Sequence, residues 1–200
     1  MEAKDKFTLG LELPTDPRWV NIVEMNIEDI LVDHAYCEQK AASTGISLIL
    51  HFSEKEKLVE TITKIVAEEW DHFSRVLSEL KKRGFKLGQK RKDKYVEALG
   101  GIFKKGGSMD QLLLEKLLMS ALIEARSCER FKMLWKNIQD EQLSQFYYEL
   151  MISEAGHYKT FLQLAKEYLP GDKVDARWRE LLEQEAQIVK NLEVRGDRIH

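Results

Sequence analysis

Two copies of one short pattern, Glu69-Trp70-Asp71-His72 and Glu154-Ala155-Gly156-His157, constrain this chain more than any other feature. On a helix, residues i and i+3 lie one above the other, so each Glu-x-x-His projects a carboxylate and an imidazole from one face. One copy alone is weak, because chance supplies ~0.6 of them in a chain of this composition. Two copies, each inside a long amphipathic stretch, are far harder to obtain at random. Four-helix proteins that bind two metal ions carry this motif on two helices and a single inward Glu on each of the others. The rest of the chain is therefore read for two further helices that each offer one buried carboxylate.

Length and composition leave room for them. Two hundred residues suit a single domain, 1–200, with a sizeable core, and only Pro14, Pro17 and Pro170 interrupt helix formation. Cys37 and Cys128 are too few for a disulfide framework, which points to a reducing cytoplasm. No apolar run approaches the ~20 residues that a membrane span needs, and the first ten residues lack the apolar region of a secretory signal.

Thr15-Asp16-Pro17 reads as a helix start, and a first long helix is expected from about Asn21 to Leu50 with a short lead-in. Glu38 sits in its otherwise apolar stripe of Ile27, Ile30, Leu31, His34, Ala41, Ala42, Gly45 and Leu48. Ser53-Glu54-Lys55-Glu56 has the form of a capping box opening a second helix that ends near Gly84. Its stripe of Leu58, Ile62, Ile65, Glu69, His72, Val76 and Leu80 carries the first Glu-x-x-His. Ser108-Met109-Asp110-Gln111 opens a third helix to about Asn137, with stripe Leu113, Leu117, Ala121, Glu124, Cys128, Phe131 and Trp135. Asp140 is the expected cap of a fourth helix reaching Leu169, whose stripe of Leu143, Tyr147, Leu150, Glu154, His157, Phe161 and Ala165 carries the second motif. A fifth helix, roughly Val174–Val194, is expected to pack outside the bundle.

Between the second and third helices lies a stretch of different composition. Residues 84–107 hold six of the 11 glycines, with a short helix expected over Lys94–Phe103. From Lys81 to Lys105 there are ten basic residues against Asp93 and Glu97, a local charge of +8 that leaves −11 for the remainder. Such asymmetry suggests a surface facing a polyanion, with a solvated crossover loop as the plainer reading. Lys86, Lys90, Arg91, Lys92, Lys94, Lys104 and Lys105 are the candidate contacts, and Tyr95 and Phe103 are candidates for stacking on bases.

Near the middle of the third helix stand two candidate carboxylates, Glu124 and Glu129. Glu124 shares its face with Leu117, Ala121, Cys128 and Phe131, whereas Glu129 lies on a flanking face. Glu124 and Glu154 also stand 15 residues either side of Gln139, at the same height in a helical hairpin, while Glu129 would sit ~7 Å nearer the turn. Glu38 and Glu69 are placed likewise about a turn near Ser53. The spacing repeats: 86 residues from Glu38 to Glu124, 85 from Glu69 to Glu154 and from His72 to His157. The candidate site is thus Glu38, Glu69, His72, Glu124, Glu154 and His157, with Glu69 and Glu154 expected to be shared between two metals. Four carboxylates and two imidazoles facing inward cannot remain an empty polar core, and no Lys or Arg shares the central stripes. Oxygen and nitrogen donors without clustered thiolates suit iron or manganese.

Several segments go beyond the fold. Leu13 to Trp19, Asp33 to Ser43, Ile123 to Phe131 and Phe146 to Tyr158 resemble the bacterial tRNA-(methylthio-isopentenyl-adenosine) hydroxylases, the MiaE family, and the resemblance covers nearly the whole chain. It implies an all-α, ferritin-like antiparallel four-helix bundle with a long crossover and an additional C-terminal helix. It also implies a di-iron monooxygenase acting on the isopentenyl chain of a modified adenosine beside the anticodon of tRNA, using O2 and an external electron donor, a reductase or ferredoxin. Carried over by motif, the six candidate residues are the iron ligands and the working groups. A cytoplasmic monomer with no membrane attachment is expected. Gly156 stands where the family pattern has a larger basic residue, a departure between ligands that bears on tRNA contacts rather than on the chemistry.

Phe73, Phe131, Leu150 and Phe161 are candidates for an apolar pocket, with core packing the simpler role for each. Asp33, Arg126 and Glu129 are candidates for orienting ligands, with surface ion pairing as the alternative. Two other classes fit parts of the pattern: a rubrerythrin-like peroxidase or ferroxidase, which needs no basic crossover, and a non-enzymatic RNA-binding bundle with structural metals.

Overall fold

A computed structural model describes residues 9–89 and 92–199. The described residues form seven helices and no strand: α1 (Arg18–Glu24), α2 (Ile27–His51), α3 (Glu56–Lys82), α4 (Lys94–Ile102), α5 (Met109–Asn137), α6 (Glu141–Tyr168) and α7 (Gly171–Asn191). They fall into two compact units. One spans residues 22–92 with 195–199, and the other takes 93–194 and the segment before residue 22.

The first unit is built on α2 and α3. The expected lead-in helix is separate from α2, because Asn26 interrupts the chain. Its side-chain amide donates to the Ile22 carbonyl at 2.7 Å, a local bond that competes with continuing the helix. The capping box expected at Ser53 does not form: α3 begins at Glu56, and no side chain caps it. Phe52, fully buried, instead anchors a turn in which Lys55 N donates to the Phe52 carbonyl at 3.0 Å. Burying that ring outweighs a surface cap, since an aromatic core residue is worth about 1.5–3 kcal/mol and a cap typically ~1. The far end of α3 does follow expectation. Gly84 takes φ +75°, and Phe85 N and Gly84 N donate to the Leu80 and Lys81 carbonyls, closing a Schellman motif.

α2 and α3 approach closely at Gly45, where an added Cβ would stand 2.5 Å from Val66 Cγ2. The N-terminal half of α2 is covered on a second side. Tyr36 donates to the Gly88 carbonyl at 2.9 Å, and the Ile199 amide donates to Asp33 Oδ2 at 2.8 Å. The segments flanking residue 88 and residues 195–199 therefore lie along α2, which explains why Val32, Asp33 and Ala35 are buried as well as the stripe.

In the second unit α5 is buried almost all round, with α6 and α7 packed against it and α4 packed against α7. The capping residues act as read: Ser108 accepts from Gln111 N at 3.2 Å, and Asp140 from Leu143 N at 3.0 Å. Asp93 caps α4 by accepting from Val96 N at 3.1 Å. α7 starts directly after Pro170, three residues earlier than expected. Ion pairs as well as apolar residues fasten it: Arg177 grips Glu115 at 2.7 and 2.9 Å, and Glu185 meets Arg126 at 2.8–3.0 Å. None of the described helices is long and apolar enough to cross a membrane.

Candidate metal centre

Each unit gathers half of the six residues. From α2 and α3, Glu38, Glu69 and His72 each offer a donor atom within 4.8 Å of the others. His72 Nδ1 lies 3.6 Å from Glu38 Oε2 and 3.8 Å from Glu69 Oε2. From α5 and α6, Glu124, Glu154 and His157 offer donors equally close to one another, with His157 Nδ1 3.4 Å from Glu154 Oε2. All six side chains are buried.

The local reason is the helical register. In α3 and α6 the i, i+3 spacing stacks Glu on His, and the apolar stripe turns both inward. The single Glu of α2 or α5 then meets this pair across the hairpin. Two carboxylates held this close and away from water repel each other, and a bound cation relieves both the repulsion and the desolvation. Each cluster contains only oxygen and nitrogen donors, a set that fits iron and offers no thiolate for a structural zinc site.

Of the two candidate carboxylates on α5, Glu124 joins the cluster and Glu129 does not. Glu129 accepts from Thr15 N at 2.9 Å, Thr15 Oγ1 at 2.6 Å and Arg126 Nη1 at 2.9 Å. Arg126 also grips Glu185 and donates to the Leu13 carbonyl at 2.9 Å. Arg130 adds a bond to Thr15 Oγ1 at 3.2 Å and lies over the Trp19 ring. Burial and the neighbouring Arg126 charge lower the Arg130 pKa to about 10, so it stays charged at neutral pH. Arg126 and Glu129 are thus members of a buried network that fastens the segment 13–19 and α7 to α5. Surface ion pairing does not describe them. Asp33 likewise is buried and holds Ile199, with Arg198 Nε 3.7 Å from its other oxygen.

The sequence reading gave His34 a place on the stripe but no role. The structure puts its Nε2 2.6 Å from Glu38 Oε1, with the imidazole fully buried. The spacing His34-x-x-x-Glu38, one helical turn on a buried face, was the signal available in the sequence. Glu115, Glu185 and Arg177 were also missed, because they pair between segments far apart in the chain.

The remaining candidates divide. Phe131, Leu150 and Phe161 are fully or nearly fully buried, and Phe131 packs against Tyr147 with ring centroids 5.4 Å apart. Phe73 is only half-buried and lies against exposed Trp70, with ring centroids 5.0 Å apart. Both cysteines are free thiols. Cys128 donates to the Met151 carbonyl at 3.4 Å, and burial with the nearby Glu154 charge pushes its pKa up to about 12.

In the basic stretch, Lys86, Lys92, Lys94, Lys104 and Lys105 are exposed, while Lys90 and Arg91 lie outside the described residues. Part of the charge is met locally: Lys82 and Arg83 pair with Glu79, and Lys104 with Glu180 at 3.3 Å. Tyr95 cannot stack on a base. It is buried and donates to Glu185 Oε1 at 3.1 Å, and burial beside that carboxylate holds its pKa well above the usual phenol value. Phe103 is half-buried. Gly156 is exposed with open space around its α-carbon, so a larger side chain at this position would point into solvent.

Known proteins place this arrangement. A solved structure described as protein 43 with aldehyde deformylating oxygenase activity, from Synechococcus, matches 95% of this chain and 94% of its own, with a TM-score of 0.89 and 31% identity. The fold is accordingly all-α and of the ferritin-like, antiparallel four-helix-bundle class, with a long crossover holding α4 and the additional C-terminal helix α7. Two curated relatives bear the name tRNA 2-(methylsulfanyl)-N(6)-isopentenyladenosine(37) hydroxylase. That of Pseudomonas putida is 38% identical over 86% of this chain and 82% of its own. That of Salmonella typhimurium is 27% identical over 90% and 83%. The family described as tRNA-(MS[2]IO[6]A)-hydroxylase (MiaE) matches residues 2–200. With that match running almost from end to end, the chain belongs to the MiaE family of tRNA hydroxylases.

Proposed function

We propose that this protein is a non-haem di-iron monooxygenase that hydroxylates the isopentenyl side chain of 2-methylsulfanyl-isopentenyladenosine beside the anticodon of tRNA. The observation that carries the reading is the repeated buried cluster, Glu38, Glu69 and His72 in one unit and Glu124, Glu154 and His157 in the other. In a ferritin-like chain of this family, these six residues would hold two irons. Bound iron supplies the activation of O2 that attack on an unactivated C–H bond requires. Hydroxylation inserts one oxygen atom and reduces the other to water, so two electrons and two protons come from an external donor of the reductase or ferredoxin class.

The protein's own contribution is positioning and exclusion of water. Phe131, Leu150 and Phe161, buried on the helices that carry Glu124 and Glu154, would keep the surroundings of those carboxylates apolar and exclude water. The exposed lysines of the crossover, Lys86, Lys92, Lys94, Lys104 and Lys105, would hold the phosphates of the anticodon stem-loop together with Lys90 and Arg91. A base in a single-stranded loop is turned out of its stack at low cost, so a modified adenosine there can reach a buried site. A tRNA substrate fits a cytoplasmic protein.

The test is mass analysis of tRNA nucleosides before and after incubation with iron-loaded protein, a reductant and O2. The modified adenosine should gain the mass of one oxygen atom. Iron loading and O2 consumption with no change in the nucleoside would favour the peroxidase or ferroxidase alternative. Deformylation of an aldehyde under the same conditions would assign the activity named for the Synechococcus protein.

A further inference from the structure

The two halves of the candidate centre are not equivalent, and the difference is His34. The 86-residue spacing that maps Glu38 onto Glu124 sets His34 opposite Ser120, each one helical turn before its Glu. His34 is fully buried, and its Nε2 stands 2.6 Å from Glu38 Oε1. A carboxylate that binds a cation is ionised and can only accept, so Nε2 carries the hydrogen and donates it. The other oxygen, Oε2, is the one turned toward His72, 3.6 Å from its Nδ1. Serine is too short to repeat this arrangement on α5, where a hydroxyl one turn before Glu124 replaces a ring.

We propose that His34 is a positioning residue that commits Glu38 Oε1 to a hydrogen bond and leaves Oε2 as its single metal-binding oxygen, so that the ion on the α2–α3 side is held differently from the ion on the α5–α6 side. The proposal rests on the di-iron reading. A charge-assisted bond from a buried, immobile ring fixes the carboxylate plane and its basicity. Without it, Glu38 is free to rotate and offer both oxygens. Outer partners of this kind typically change metal affinity by about 10–100-fold.

The experiment is titration of the metal-free protein with Co(II), followed by its visible absorption, in the parent, His34→Leu, His34→Gln and Ser120→Ala. Leucine fills the volume without a donor, and glutamine places an N–H near the position of Nε2. The parent should bind two ions per chain. His34→Leu should bind one ion as the parent does and the other about 10–100-fold more weakly. His34→Gln should restore most of that loss, and Ser120→Ala should change neither ion. The metal-free circular dichroism of each variant is measured first. If His34→Leu does not fold, His34→Asn takes its place, because its amide stops short of Glu38 while keeping the site polar. Two ions bound by the leucine (or asparagine) variant as tightly as by the parent would overturn the role of His34 alone. Equal weakening of both ions, unrelieved by glutamine, would make His34 a general packing residue and overturn it also. A parent that binds fewer than two ions would overturn the di-iron reading and this inference with it.

Discussion

Glu124 and Glu129 stand five residues apart on α5, both buried, and serve unrelated ends. One faces Glu154 and His157; the other anchors Thr15 and Arg126. Replacing Glu124 with Ala should empty or halve the iron content while leaving the metal-free protein as stable as the parent, since removing a carboxylate relieves repulsion in the absence of metal. Replacing Glu129 with Ala should do the reverse. It strips a buried partner from Arg126 and from Thr15, a change that costs about 3–5 kcal/mol when it leaves a buried charge uncompensated. Iron per chain and the denaturant midpoint check both variants. Loss of iron on changing Glu129 but not Glu124 would overturn the assignment.

At the level of helices, packing decided most of the departures from local sequence signals. The cap at Ser53 gave way to burial of Phe52, and the break at Asn26 divided what periodicity alone reads as one helix. Where nothing competed, caps formed as read, at Ser108, at Asp140 and at Gly84. Gly45 shows how closely α2 and α3 are fitted. A methyl group there would press on Val66 Cγ2 at 2.5 Å and on Ile62 Cγ2 at 3.3 Å. Gly45→Ala gains helix propensity of ~1 kcal/mol but overpacks the hairpin at about 1–3 kcal/mol, so a net loss is expected. Adding Val66→Ala should recover much of it, because the second change opens the space the first one needs. Thermal denaturation of the two single variants and the double variant measures the coupling, and strictly additive effects would show that the contact is not tight.

Over the whole molecule the charge is divided, with +8 between Lys81 and Lys105 and −11 elsewhere. Phosphate contacts release counterions, so tRNA binding through this stretch should weaken steeply with salt. Changing Lys90, Arg91, Lys92 and Lys94 together to Ala should raise the apparent KM for tRNA and flatten that salt dependence. Iron content and reductant-driven O2 consumption should be unchanged, because the described members of this set, Lys92 and Lys94, are exposed and remote in sequence from the six buried residues. Hydroxylation of tRNA as efficient as the parent's at every salt concentration would mean that the nucleic acid docks elsewhere.

The sequence by itself determined the elements that repeat at short range. Helical periodicity placed Glu38, Glu69, His72, Glu124, Glu154 and His157 on inward stripes, and hairpin arithmetic separated Glu124 from Glu129, because both depend only on 3.6 residues per turn and 1.5 Å per residue. What only the tertiary structure decided were pairings between segments distant in the chain: Arg126 with Glu185, Glu129 with Thr15, Arg177 with Glu115, and Asp33 with residue 199. A charged side chain off the main stripe reads as solvated in one dimension. It becomes a buried partner only when another segment covers it, as α7 and residues 13–19 cover α5. The same covering buried Tyr95, which the sequence offered as a base-stacking ring, against Glu185. Burial of polar groups from several sides has no periodic signature along the chain, since it depends on which neighbours the fold brings and on whether their charges match.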